Sequence, residues 1–505
     1  GFGIYFPSSG TLTIDNSTIN AKTMGVQVCA GSLSINAGSA ITVTGDAVPK
    51  TENDGAIQDG AAISIVNRTG YKGLDDVTVT GGKFTAKTGN EAIKAYDWAN
   101  NTETEFTANK TVAVSGGTFS SAVPEGLCAT GYIPVANGDG THTVKEGVYV
   151  AKVDNVKYET LQAAINAAKD GDIVMLLADA TEDVTIDKNI TLDLGGKTLT
   201  NTGAGKATIS VKDSAVVTVK NGFVMGGTKY YNIEVTKDSN ANLTLMDVTA
   251  TAGNNDSSMI DNWGTLTIES GTYEGGLNVV KSEEGSTLTI NGGKFTGTHA
   301  QSSSYNGVIL SAGTTTINDG EFIQSATTPR WCYPQVVLVM QVTGYTSLVT
   351  VNGGTFTNKY SSSGAKIFHP GTGATSDNLA VKGGTFNKEV PDSYCADGFI
   401  PTKNADGTYG VKAGKYVAQI GSKKYETLAD AIRLAAKGKT ITLLANVTEN
   451  VEITANKNLT LDLNGFTLNG GTGTAKAALS NLGTITIQDT SEAKTGTIKR
   501  DDTGI

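Results

Sequence analysis

One feature limits this chain more than any other: it repeats itself on two scales. On the long scale, Tyr158-Glu159-Thr160-Leu161 returns 267 residues later as Tyr425-Glu426-Thr427-Leu428. Cys128-Ala129 returns as Cys395-Ala396, Ile133-Pro134 as Ile400-Pro401, and Asp139-Gly140-Thr141 as Asp406-Gly407-Thr408. After a two-residue insertion, Leu192-Asp193-Leu194 is matched by Leu461-Asp462-Leu463. The offset divides the chain into the later part of one module (1–147), a complete module (148–414) and the start of a third (415–505). A repeat of this kind signals an array rather than a single globule.

The short scale is a strand, a glycine turn and an aromatic. Thr287-Leu288-Thr289-Ile290-Asn291-Gly292-Gly293-Lys294-Phe295 has cousins ending at Phe84, Phe119, Tyr273, Phe322, Phe356 and Phe386. Within the middle module the glycine anchor falls at 271, 293, 320, 354 and 384. Alternation of Thr with Leu or Ile has the period of two expected of a half-buried strand. The steps exceed the 8–12 residues of a hairpin meander. They suit one coil of a parallel β-helix, whose apolar side is buried only by stacking on the next coil. The aromatic is expected to stack on its counterpart one coil along, at a rise of about 4.8 Å.

Each module opens with a helical period. Leu161, Ala164, Ile165 and Ala168 lie at i, i+3, i+4 and i+7, and Gly171 follows. Leu428, Ala431, Ile432, Ala435 and Gly438 repeat the arrangement. The reading is a short amphipathic helix, over about 158–169 in the middle module, that covers the open end of the first coil. The predicted fold class is therefore all-β: right-handed parallel β-helix modules in tandem, each opened by a capping α-helix. A buried strand is expected after each helix, at 173–177 and 441–444.

These units resemble the pectate-lyase-like right-handed β-helix repeats of large adhesin-like surface proteins from gut Gram-positive bacteria. The resemblance rests on Tyr-Glu-Thr-Leu-(x2)-Ala-Ile, on Asn458-Leu459-Thr460-Leu461-Asp462-Leu463-Asn464-Gly465, and on the Gly-Gly-Thr-Phe units. It covers nearly the whole chain and speaks to fold more than to function, because one scaffold carries many activities. It implies a secreted, wall-attached protein on the bacterial surface, anchored through regions outside this chain. Residues 1–30 lack a basic segment followed by an apolar one, and the chain reads as a piece of something longer.

Composition narrows the chemistry. Net charge is −10, and Arg68, Arg330, Arg433 and Arg500 are the four arginines, which argues against a nucleic-acid surface. No apolar run is long enough to insert in a membrane. Of the three histidines, His142, His299 and His369, none stands in a catalytic or zinc-binding motif, and no phosphate loop occurs. Asp75-Asp76 is the one internal aspartate pair. The four cysteines read as buried thiols, Cys29 standing where the copy has Ser311 and Cys128 and Cys395 being repeat mates. No cofactor, metal or catalytic residue is expected. A flat threonine ladder able to bind ice needs even coils, and steps of 22–34 residues are ragged; threonine is in any case a good outward strand residue.

Partners should dock where loops break the repeat. Three segments qualify. Arg330, Trp331 and Tyr333 interrupt a polar stretch with residue types enriched at interface hot spots, and the apolar run 336–340 follows. Tyr230-Tyr231 form the second segment, and Tyr96 with Trp98 beside Asn100-Asn101 the third. Trp263 reads as a stacking residue at a turn. The expectation is a non-catalytic adhesin that binds a host glycan, mucin, or a host protein such as immunoglobulin. A carbohydrate-active lyase or hydrolase is the alternative, favoured if two carboxylates and a base meet in one groove; a structural spacer is the third reading.

Overall fold

The computed structural model describes residues 1–107, 112–237, 239–298, 307–326, 334–362, 364–471 and 477–500. The chain forms two compact units, Gly1–Ala163 and Ala164–Ile505. Both are built on long parallel sheets, with two short α-helices among the described residues: α1, Leu161–Ala167, and α2, Leu428–Leu434.

In the first unit the chain visits three sheets in a fixed cyclic order, four times. Ile4–Phe6, Val26–Val28, Ile63–Arg68 and Ile93–Ala99 make one sheet; Thr11–Ile14, Gly31–Ile35, Leu74–Val79 and Val112–Val114 the second. Thr18–Ala21, Ala40–Val43, Lys83–Thr85 and Thr118–Phe119 begin the third, which the hairpin Tyr132–Ala136 and His142–Glu146 closes with antiparallel pairing. Ile14, Ile35, Val79 and Val114 share one register position and are all buried. Phe84 and Phe119 lie side by side, ring centroids 4.9 Å apart.

The second unit repeats this logic over more strands. Leu192, Val219, Leu245, Ile268, Ile290, Ile317, Val351 and Val381 are paired strand to strand in one buried column. Beside it runs an aromatic column, Tyr273, Phe295, Phe322, Phe356 and Phe386, each ring stacked on the next at 4.7–5.2 Å between centroids. The side chains of the Thr-x-apolar strands thus divide as the period of two requires, and the fully buried column removes apolar area from water continuously. This is the arrangement a β-solenoid interior calls for.

The uneven repeat length leaves the register intact. Thr191, Thr218, Thr244, Thr267, Thr289, Thr316 and Thr350 stand in one unbroken outward row. The extra residues fall in the connections between sheets, so steps of unequal length still deliver equal strands.

Glycine supplies the corner in a specific way. Gly320 has φ +128°, and a Cβ there would sit 3.1 Å from both the Gly293 carbonyl oxygen and the Phe322 ring. The residue before the lysine-, glutamate- or threonine-aromatic pair is therefore held to glycine by backbone angle and by ring contact together.

Both helices form where the period of 3.6 places them. Leu161, Ala164, Ile165 and Ala168 are buried, as are Leu428, Ala431, Ile432 and Ala435. Thr427 caps α2, its hydroxyl accepting from Asp430 N at 3.1 Å, and Glu449 accepts from Leu428 N and Ala429 N at 2.9 and 3.0 Å. Strands follow, as Ile173–Leu176 and Lys439–Leu443, but half-buried rather than buried: Ile173, Lys439 and Thr440 are exposed, while Val174, Leu176, Ile441 and Leu443 face the core.

Candidate functional site

The eight-stranded sheet of the second unit comprises Val184–Ile186, Ile209–Val211, Ile233–Val235, Ile260–Asn262, Val280–Ser282, Gly307–Ser311, Gln335–Val339 and Phe368–Pro370. Most of these strands are three residues long. Their first and last residues, such as Ile233 and Val235, point to the core, so the middle residue points outward. Register then sets Ser210, Glu234, Asp261, Lys281, Leu310, Leu338 and His369 in a single row. An acidic pair, a base and two leucines are neighbours on one face, in a row that runs from Ser210 to His369 across 160 residues of sequence.

Asp261 is the centre of this row. It is 1% exposed. Its Oδ2 accepts from Trp263 Nε1 at 2.8 Å, while its Oδ1 has no donor among the described residues. Burial, followed by the charge of Glu283, pushes the Asp261 carboxyl up to about 7, against the opposing pull of Lys281 and the Trp263 N–H. Glu283 is buried and ion-paired to Lys281. Burial also raises Glu234, against the hydroxyl of Ser210.

A cavity of about 390 Å³ opens beside the pair. Tyr231, Ser257, Ser258, Asn278, Lys281, Glu283, Glu284, Leu310 and Met340 are in its wall. Tyr230 and Tyr231 pack together with ring centroids 4.5 Å apart, and burial raises both phenols. Asn278 is already committed, its Nδ2 donating to Ser258 Oγ at 3.2 Å and its Oδ1 accepting from Gly307 N at 2.9 Å. Lys237 lies 4.3 Å above the Trp263 ring, so that indole is held from both its edge and its face.

The sequence singled out Tyr230 and Tyr231, and both border or line this groove. It did not find Glu234, Asp261, Lys281 or Glu283. Arg330, Trp331 and Tyr333 lie outside the described residues. The apolar run after them, as the strand Gln335–Val339, is buried throughout.

Tyr96 and Trp98 sit in the first unit, 1% and 8% exposed, in a small cluster with Cys29, Ile57 and Val66. The Tyr96 hydroxyl donates to Asp59 Oδ2 at 2.9 Å, and Ser64 Oγ donates to the same oxygen at 2.5 Å. Arg68, buried, donates to the carbonyls of Asn53 and Gly55. Asn100 and Asn101, both at positive φ, make the turn into Thr102–Thr104. Burial pushes the Cys29 thiol up to about 12, against Arg68, so it is no nucleophile. Asp75 and Asp76 are exposed on the strand Leu74–Val79.

Among the described residues no group of three or more histidine, cysteine, aspartate or glutamate side chains could hold a metal ion. No described helix is long and apolar enough to cross a membrane.

The chain is 25% identical over 428 residues to the adhesin BmaC autotransporter of Brucella suis biovar 1 (strain 1330). The alignment covers 82% of this chain and 11% of that relative, so the chain spans about a ninth of its length. No family model matches the chain. No solved structure matches it either.

Proposed function

We propose that this chain is part of an adhesin-like bacterial surface protein, a right-handed β-helix of the pectate-lyase-like kind in tandem modules at 1–147, 148–414 and 415–505. It binds a host glycan or host protein through the outer face of the eight-stranded sheet. The likeness to an autotransporter adhesin supports the surface role. The observation that carries the binding role is the groove itself: an aromatic ring, hydroxyls, a base and carboxylates converge on one concavity, as ligand sites require. Attachment to the cell wall belongs to the same reading.

The enzyme alternative draws on the meeting of Asp261, Glu283 and Lys281, the combination that would favour a lyase or hydrolase. Geometry argues the other way. A glycosidase holds its carboxyls at least about 5 Å apart, to admit a sugar and a nucleophile or water. Asp261 is 1% exposed, too deep to meet a sugar, and Lys281 is engaged by Glu283.

Arrays of host glycans and serum proteins, probed with the whole chain and with Tyr231→Ala, test the reading. Binding that the substitution weakens supports it. Absence of any binding favours a spacer, and undiminished binding moves the site elsewhere.

A further inference from the structure

The longest connection between sheets in the first unit is more than a loop. Residues 44–62 join Ala40–Val43 to Ile63–Arg68, where the corresponding joins on either side need only 22–25 and 86–92. The segment has no strand of its own, and between 46 and 59 its main chain makes no bond to the main chain of a sheet among the described residues. It is a strap laid over the outer face of the sheet that holds Val26–Val28, Ile63–Arg68 and Ile93–Ala99, and side chains of that face hold it. Gln27 reads one residue's main chain twice: its Nε2 donates to the Ile57 carbonyl and its Oε1 accepts from Ile57 N, both at 2.8 Å. Arg68, on the same face, donates to the carbonyls of Asn53 and Gly55. The Ile57 side chain is buried in the cluster of Cys29, Val66, Tyr96 and Trp98. Two residues on, the Asp59 carboxyl accepts from Ser64 Oγ and the Tyr96 hydroxyl. Contacts at 53, 55, 57 and 59 have the period of an extended chain.

A solenoid adds a coil through main-chain pairing. Here side chains read a main chain, seat one aliphatic anchor and hold one carboxyl, which is how a protein binds an extended peptide. We propose that the outer face of this sheet is a peptide-binding site, occupied here by residues 53–59 of the same chain, and that it accepts in trans an extended peptide with an aliphatic residue two positions before a carboxyl group. Residues 46–49 and 51–54 are exposed, and Ile57 is the one large apolar side chain that the strap buries. The strap therefore lifts at far lower cost than the strands beneath it. What it uncovers is preorganised: Gln27 stands between the core residues Val26 and Val28, and Ser64 between Ile63 and Ile65. Beside Arg68 in the register, Trp98 Nε1 is buried with no acceptor among the described residues, a donor that the strap leaves over for a ligand carbonyl. The tether gives the strap a high effective concentration, so a free peptide sees the site only in the fraction of chains whose strap has lifted. The site lies in the first unit and stands apart from the groove of the second, so either reading can fall without the other.

The probe is a fluorescein-labelled peptide of residues 51–61, followed by fluorescence anisotropy. It is titrated with the whole chain and with a whole chain whose residues 47–59 are replaced by a glycine–serine linker of equal length. The linker chain should bind it, and the wild type at least about tenfold more weakly. Ile57→Ser or Asp59→Ala in the peptide, or Gln27→Ala in the linker chain, should each remove most of the binding. Tyr231→Ala should remove none, which separates this site from the groove. If the linker chain loses the amide protection of Ile63–Arg68, the comparison passes to the otherwise intact chain carrying Ile57→Ser, which should bind the peptide more tightly than the wild type does. No binding by a linker chain that keeps that protection, no gain in the Ile57→Ser chain, equal binding by wild type and linker chain, or binding indifferent to both peptide substitutions overturns the proposal.

Discussion

The ring of Phe295 lies against that of Phe322, centroids 5.0 Å apart and planes 5° from parallel. The two residues are one repeat apart in sequence and directly paired in the sheet. Both are fully buried, each with an aromatic neighbour on its other side. Truncation in the middle of such a stack empties a site that its neighbours cannot fill. Phe322→Ala should cost about 3–5 kcal/mol, and Phe322→Leu distinctly less. Chemical unfolding of the two variants beside the wild type measures both.

The turn before the ring should be nearly as intolerant. Gly320→Ala places a methyl group against the Gly293 carbonyl and the Phe322 ring at a positive φ. A loss of about 1–3 kcal/mol is expected. Gly292→Ala, at the first glycine of a pair, leaves φ ordinary but sets the methyl 2.9 Å from the Glu269 carbonyl oxygen, so it too should destabilise, by contact without backbone strain. The same unfolding assay ranks the two.

Much of this was legible from the residues alone. The Thr-x-apolar alternation, the glycine corner and the following aromatic put Ile290, Gly293 and Phe295 in their roles before any coordinates, because each is a local rule repeated many times. The helices were legible for the same reason. The groove was not. Glu234, Asp261 and Lys281 come from three-residue strands, Ile-Glu-Val, Ile-Asp-Asn and Val-Lys-Ser, too short for a period to show. Register over connections of unequal length brings them together, and no pattern within one segment encodes that.

A second feature escaped the sequence because it joins distant residues. Lys457 Nζ donates to the carbonyls of Arg433 and Ala435 at 2.8 and 2.7 Å, closing the end of α2. Lys188, its repeat mate, donates to the carbonyls of Ile165 and Ala168 at 3.4 and 2.9 Å. A cation at a helix C-terminus satisfies free carbonyls and complements the helix dipole. Lys457→Met should destabilise α2 and its surroundings by about 1 kcal/mol, read as faster hydrogen exchange of the α2 amides.

The first unit should respond to pH through Asp59. Burial raises this carboxyl above 3.8, against hydrogen bonds from Ser64, Ala61 and Tyr96. A raised value in the folded state means the folded chain holds the proton more tightly. The resulting stabilisation is complete below the unfolded value and is lost as pH rises through the folded one. Unfolding of the first unit should therefore become easier as pH climbs from 4 through that value, and Asp59→Asn should flatten the dependence.

The thiols offer a simple control on burial. Cys29 is fully buried with its thiol pushed up to about 12; Cys128 and Cys395 are half-buried with theirs at about 11. Thiolate is the reactive form. At pH 8 the native chain should label slowly with a maleimide at all three positions, Cys29 slowest, and quickly once unfolded. Mass spectrometry of the labelled peptides reads each site.

The central claim is that the interior columns hold the fold while the outer face of the eight-stranded sheet meets the ligand. Hydrogen exchange of the whole chain, with and without glycans released from mucin, tests it most directly. The claim predicts added protection at Tyr231, at 256–258 and across 277–284, with the Phe295–Phe322 column unchanged. Protection confined to other surfaces, or none in the presence of bound glycan, would contradict it.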